Sequence, residues 1–170
     1  MQKKSAFVLG AIIIGLAGIF YSKFFPKKEI HYHAGFKVYV DGKMQDFSGL
    51  KYMSIKPCGK EEEEREENEQ MEKAHLHDEI GDVVHVEAEN AKWKDLFTNI
   101  NFKIDPEKPI TGFVNGKKTE NILNEPIQSY ESVVFFVGKV DEKKLKNSVT
   151  KDQIKKAEKN AGCPKVLAAL

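Results

Sequence analysis

Apolar residues change their spacing several times along this chain, and each change marks an element. From Ile30 to Val40 they alternate. Tyr32, Ala34, Phe36, Val38 and Val40 fall on one side, and His31, His33, Gly35, Lys37 and Tyr39 on the other. A period of two belongs to a strand with one face in the core, so the second set is expected on a solvated face. Asp41-Gly42 follows as a hairpin signal, and Lys43 to Phe47 should form the return strand before Ser48-Gly49. Leu50 to Pro57 reads as another short strand. Asp82 to Ala88 alternates again, with Val84, Val86 and Ala88 opposite Val83, His85 and Glu87. Trp93, Leu96, Phe97 and Ile100 then fall at i, i+3, i+4 and i+7, which predicts an amphipathic helix with Asn90 as its N-cap. Asn101 to Ile104 and Ile110 to Val114 return to strand spacing, and Asn115-Gly116 is a second hairpin signal. Ser132 to Val140 predicts a central strand buried on both faces. Thr150 to Gly162 closes the chain as a helix, opened by a Thr150/Gln153 capping box and carrying a thin apolar stripe.

This order predicts an α+β fold: a mainly antiparallel sheet, one packed helix and a peripheral C-terminal helix. A β-grasp-like arrangement satisfies it. Ahead of the body, Ala6 to Ser22 is a run of 17 uncharged, mostly apolar residues between Lys3-Lys4 and Lys23. About 17 residues is the lower bound for a helix that crosses a bilayer. The expectation is a single-pass N-terminal transmembrane anchor over 1–25, with a cleaved signal peptide as the alternative. The linker covers 26–29, the α+β body 30–142, and a lysine-rich helix and tail 143–170. Lysines flank the apolar run on both sides, so the charge rule for orientation is nearly balanced. A short basic N-terminus favours a body outside the cytoplasmic membrane. Ala11 and Gly15 make a small-xxx-small pair that could pack two anchors into a homodimer, although glycine is simply common in membrane helices.

Charge adjusts this picture in two places. The net charge of +1 argues against nucleic acid as a partner, because phosphate neutralisation needs a basic surplus. Eight glutamates against one arginine between Glu61 and Glu72 make 60–73 an acidic excursion, solvated and lacking any EF-hand pattern. Cys58 and Cys163 could pair in an oxidising compartment, closing a long loop for roughly 4 to 5 kcal/mol. Neither belongs to a C-x-x-C.

The chemistry rests on five histidines. His31 and His33 form one H-x-H, His75 and His77 a second, and His85 follows in a strand-like run. Residues i and i+2 project from one face of a strand. Each pair thus stands side by side, and His85 lies on the face opposite Val84 and Val86. If the strands are neighbours, His31, His33, His75, His77 and His85 converge on one surface, where three or four could hold a zinc or copper ion. Asp78 and Glu79 are candidates to orient the rings, and Glu87 is a further ligand or a base. Met44, Met53 and Met71 could soften such a site toward copper(I), although methionine is more often core filler. A hydrogen-bonded histidine cluster and a pH sensor are the competing readings.

No hydrolytic motif supports an enzyme. His75-Leu76-His77-Asp78 sets its aspartate one place too early for a metallo-β-lactamase pattern, and H-E-x-x-H, G-x-S-x-G and P-loop motifs are absent from the sequence. H-Y-H-A-G-F-K-V-Y-V-D-G, H-L-H-D, G-D-V-V-H-V-E, W-K-D-L-F and V-N-G-K together resemble the landmarks of small single-anchor envelope proteins of bacteria and archaea, over Ile30 to Lys117. The resemblance implies an architecture and a shared set (His31, His33, His75, His77, Asp78, His85 and Glu87) but no activity. The glutamate-rich stretch is longer than the connection expected in that group. The reading that follows is a membrane-anchored, extracytoplasmic protein binding a transition-metal ion. The alternatives are a non-enzymatic envelope interaction domain with a structural histidine cluster and, third, a metal-dependent hydrolase.

Overall fold

The computed structural model describes residues 30–54 and 69–160. Its elements are β1 (Tyr32–Val40), β2 (Lys43–Met44), α1 (Glu69–Lys73), β3 (Val83–Val86), α2 (Trp93–Asn99), β4 (Ile110–Val114), β5 (Lys117–Thr119), β6 (Ser132–Val137) and α3 (Lys151–Asn160). They form one sheet in the order β2-β1-β6-β4-β5, with β3 also on β1. β1 is long enough to serve two neighbours on one edge. Tyr39 and Val40 pair with β2, and Tyr32 to Gly35 pair antiparallel with β3.

The expected mainly antiparallel sheet is corrected by its centre. β1 and β6 run parallel from Gly35↔Ser132 to Val40↔Val137, the longest ladder in the sheet, so the fold is α+β with a mixed sheet. A parallel pair needs a long crossover. Here the chain between β1 and β6 supplies α2 and the β4-β5 hairpin, a connectivity that period counting along single strands does not disclose. The other half of the expectation, a membrane-spanning helix, is not met among the described residues: none of their helices is long and apolar enough to cross a membrane. The run 6–22 and the anchor pairing through Ala11 and Gly15 lie outside the described residues, as do Cys58, Cys163 and most of the acidic excursion.

Local corrections have local causes. The return strand stops at Met44 because β3 occupies the remaining edge of β1, where Phe36 N donates to Asp82 O at 2.9 Å. Phe47 turns into the core instead. Leu50 to Tyr52 is a 3₁₀ turn, closed by Tyr52 N to Gly49 O at 3.0 Å, and not a strand. Asn90 sits at φ 59, so α2 begins later, where Lys92 N donates to Asp95 Oδ2 at 2.9 Å. Asn101 to Ile104 forms no strand. The end of the acidic stretch is ordered as α1, tied to α2 by Asn99 Nδ2 donating to Ala74 O at 2.7 Å.

Both faces of the sheet are covered. On the first, Ala34, Phe36, Val38, Val84, Val86 and Leu76 meet Trp93, Leu96 and Phe97 of α2 in the main core. On the second, Tyr39, Phe113, Val134 and Phe136 form one cluster, and Val83, Val149, Ile154 and Ala157 another. α3 is therefore not peripheral. Ile154 is fully buried over β1, and its capping box is formed, with Thr150 N donating to Gln153 Oε1 at 2.8 Å. The close approach requires Gly35, since a Cβ there would stand 2.6 Å from Val149 Cβ and 3.2 Å from Ile154 Cδ1. The histidines occupy the same face immediately beyond Gly35.

Gly35→Ala should lower stability by about 1 to 3 kcal/mol through overpacking under α3. Denaturant unfolding measures this, and an unchanged midpoint would show that α3 does not seat on β1 as described.

Candidate metal centre

Strand register builds this site. His33 pairs directly with His85 between β1 and β3. His75 pairs with His85 on the other side of β3, where His75 N donates to His85 O at 3.0 Å and His85 N to His75 O at 2.9 Å. Three imidazoles thus stand in a row across three adjacent chain segments. His31 and His77 flank the row by the i, i+2 rule. His85 is the hub: its ring centroid lies 4.5 Å from that of His31, 4.6 Å from His33 and His77, and 4.8 Å from His75. The expected convergence of all five histidines is observed. The expected solvation is not, because His33, His75 and His85 are only 1%, 3% and 8% exposed. His31 is exposed and His77 partly so. On the same face Val83, Val149, Ile154 and Ala157 form a cluster from segments distant in sequence, with Tyr130 packed against it.

Two overlapping groups could hold a metal ion: His31, His33 and His85, and His75, His77 and His85. Within each, one nitrogen per ring lies within 4.8 Å of the others. A tetrahedral ion with nitrogen bonds of about 2.0 to 2.1 Å sets its ligands roughly 3.3 Å apart, so modest ring rotations would close either group.

Hydrogen bonds fix the ring tautomers in sequence. A carbonyl only accepts, so the contact of 2.9 Å from His75 Nδ1 to Met71 O puts the proton on Nδ1. An ionised carboxylate only accepts, so the 2.6 Å contact from His77 Nδ1 to Asp78 Oδ2 does the same for His77. Neutral His77 then carries its lone pair on Nε2. With His77 in that form, His85 Nδ1, 2.5 Å from that nitrogen, is the donor and the lone pair of His85 lies on Nε2. That nitrogen is buried without a hydrogen-bond partner among the described residues, as are both ring nitrogens of His33. The nearest charge is a carboxylate: Glu87 Oε1 is 3.5 Å from His85 Nε2, and Glu87 Oε2 is 3.9 Å from His75 Nε2. A lone pair facing an anion is unfavourable unless a proton or a metal cation lies between them.

Burial and mutual repulsion keep the inner rings neutral. Desolvation, then the positive field of His31, lowers the His33 pKa to about 4, with Glu158 and Glu87 pulling weakly the other way. Desolvation and the neighbouring histidines push His85 down to about 2. Neutral imidazole is the metal-binding form.

Among the predicted accessory residues, Asp78 and Glu87 reach histidines and Glu79 does not. Glu79 is exposed at φ 57 and lines a shallow pocket with Lys37, Gln45 and Asp82. A second shallow pocket lies near Phe102 and Lys103, and neither includes a histidine. Met44 is exposed at the far end of β1 and Met53 packs on the main core, so neither offers its sulfur to the cluster. Met71 reaches it by its carbonyl. Sequence reasoning missed that acceptor. The clue is its place four residues before His75 at the end of α1, inside a stretch that composition assigns to solvent.

No family model matches the chain, and neither a curated protein nor a solved structure is similar to it. The resemblance to single-anchor envelope proteins therefore assigns no role, and the case for a site rests on these side chains.

The metal-free protein should lose stability as pH falls from about 6.5. Both depressed pKa values mean that the unfolded chain takes up these protons first. The contribution is complete above about 6.5 and declines by about 1.4 kcal/mol per pH unit for each ring, until His33 itself protonates near 4. Denaturant midpoints between pH 6.5 and 5, where ordinary carboxylates stay ionised, measure this. A flat midpoint there would contradict buried neutral rings.

Proposed function

We propose that this protein binds one divalent first-row transition-metal ion through His31, His33 and His85, with the Glu87 carboxylate beside His85 as a counter-charge. The observation that carries this reading is a set of unmet lone pairs. His33 offers one lone pair, on whichever ring nitrogen lacks the proton, and His85 offers Nε2; these nitrogens are buried and have no hydrogen-bond partner among the described residues. Leaving such atoms unsatisfied costs about 1 to 3 kcal/mol each. A purely structural histidine network would satisfy its members, and here only His75, His77 and one nitrogen of His85 are satisfied in that way. An ion takes up one lone pair from each ring and places positive charge before Glu87.

Three imidazoles suit zinc or copper(II), and with Met44 exposed and Met53 packed on the main core no thioether is grouped with them. Exposed His31 opens the group to solvent, so the ion can load into a preformed set of ligands.

Full-length chain stripped with chelator and challenged separately with zinc and copper(II) should retain a single ion on elemental analysis. His33→Ala should abolish retention at equimolar ion. Metal-free wild-type protein after both challenges would refute the proposal, as would undiminished binding by a folded His33→Ala variant.

A further inference from the structure

Resting on the metal-binding reading above, we infer that His77 is a positioning residue and not a ligand: Asp78, His77 and His85 form a hydrogen-bonded relay that presents His85 Nε2 to the ion. Sequence spacing and proximity both group His77 with the ligands, since one of its ring nitrogens lies within 4.8 Å of nitrogens on His75 and His85. Proton accounting separates it from them. The His77 ring has two nitrogens and both are engaged. Nδ1 donates to Asp78 Oδ2 at 2.6 Å, and Nε2 accepts from His85 Nδ1 at 2.5 Å. A ligand role for His77 Nε2 would break the second bond and leave His85 Nδ1–H facing a cation.

The order Asp78–His77–His85 runs from the surface inward. Asp78 is exposed, His77 is partly exposed and His85 is buried. Each acceptor fixes the tautomer of the next ring. A metal-ligating histidine ordinarily donates its other N–H to a carboxylate or carbonyl, which sets ring orientation and raises basicity. Here an imidazole stands between the carboxylate and the ligand. The backbone supports this arrangement at a cost. Asp78 and Glu79 both hold left-handed conformations, φ 55 and 57, and Ile80 N donates to His77 O at 3.1 Å to close the turn. That turn folds Asp78 back onto the His77 ring one residue earlier. His75 is oriented separately, by the Met71 carbonyl.

The test uses full-length protein loaded with cadmium-113 and labelled with nitrogen-15. Two-bond proton–nitrogen spectra report each tautomer, and cadmium–nitrogen couplings report each ligand. The expected result is a coupling at His85 Nε2, none at His77, and an Nδ1–H tautomer at His77. His77→Gln keeps an acceptor for His85 Nδ1 and should hold zinc affinity within a few fold. His77→Leu should still bind a single ion with affinity about 10- to 100-fold weaker, the usual consequence of removing such a partner. Asp78→Asn should weaken binding in the same range and, in a double variant with His77→Leu, add nothing further. A cadmium coupling at His77, loss of the ion in His77→Gln, or additive losses in the double variant would each overturn the relay while leaving a metal site intact. Failure of wild type to take up cadmium or zinc would instead refute the site itself.

Discussion

The short antiparallel ladder between β1 and β3 is the constraint on which the candidate site depends. It sets His33 directly against His85, and the bridge on the far side of β3 sets His75 against the same residue. Side chains in a strand alternate faces, so a slip of one residue in either pairing would send an imidazole into the main core and a valine into the cluster. Val84 and Val86, both fully buried against α2, make such a slip costly. The apolar core thereby fixes the position of the polar site. Packing on one face of the sheet determines which nitrogens meet on the other.

Burial then changes what the histidines are. On an open sheet surface, five imidazoles would be solvated bases with ordinary titration. Here α3, seated over Gly35, and the Tyr130 segment help to cover the face, and three of the rings lose contact with water. Desolvation favours their neutral form, and the tautomers become fixed by whichever acceptors lie nearby. The result is an asymmetric cluster. His75 and His77 have their protons placed by Met71 and Asp78, whereas His33 and the inner nitrogen of His85 present lone pairs with no donor among the described residues. That asymmetry distinguishes a place for a cation from a self-sufficient hydrogen-bond network.

Much of the body was legible from spacing alone. The alternation around Phe36 and Val84, the helical period at Trp93, the hairpin at Asn115-Gly116, the doubly buried strand at Ser132 and the Thr150/Gln153 cap all report local geometry, which sequence encodes directly. The misreadings share one physical origin. Phe47 leaves the sheet because another strand holds its edge, and the sheet is mixed because a distant strand enters its centre. Those are competitions between segments far apart in the chain, and no local period contains them. Of the site, Asp78 was visible beside its histidine, whereas the Met71 carbonyl was hidden in a stretch whose composition suggests only solvent.

By itself, then, the sequence determined which histidines share a face, because i, i+2 projection is a property of any extended chain. Their mutual distances, their burial and the direction of each ring proton were decided only by tertiary structure. Those properties depend on strand register, on cover from α3 and on acceptors delivered by separate loops. The same five residues on an uncovered sheet would be a basic surface patch. Under this fold they become a hub ring with one nitrogen anchored and the other presented inward.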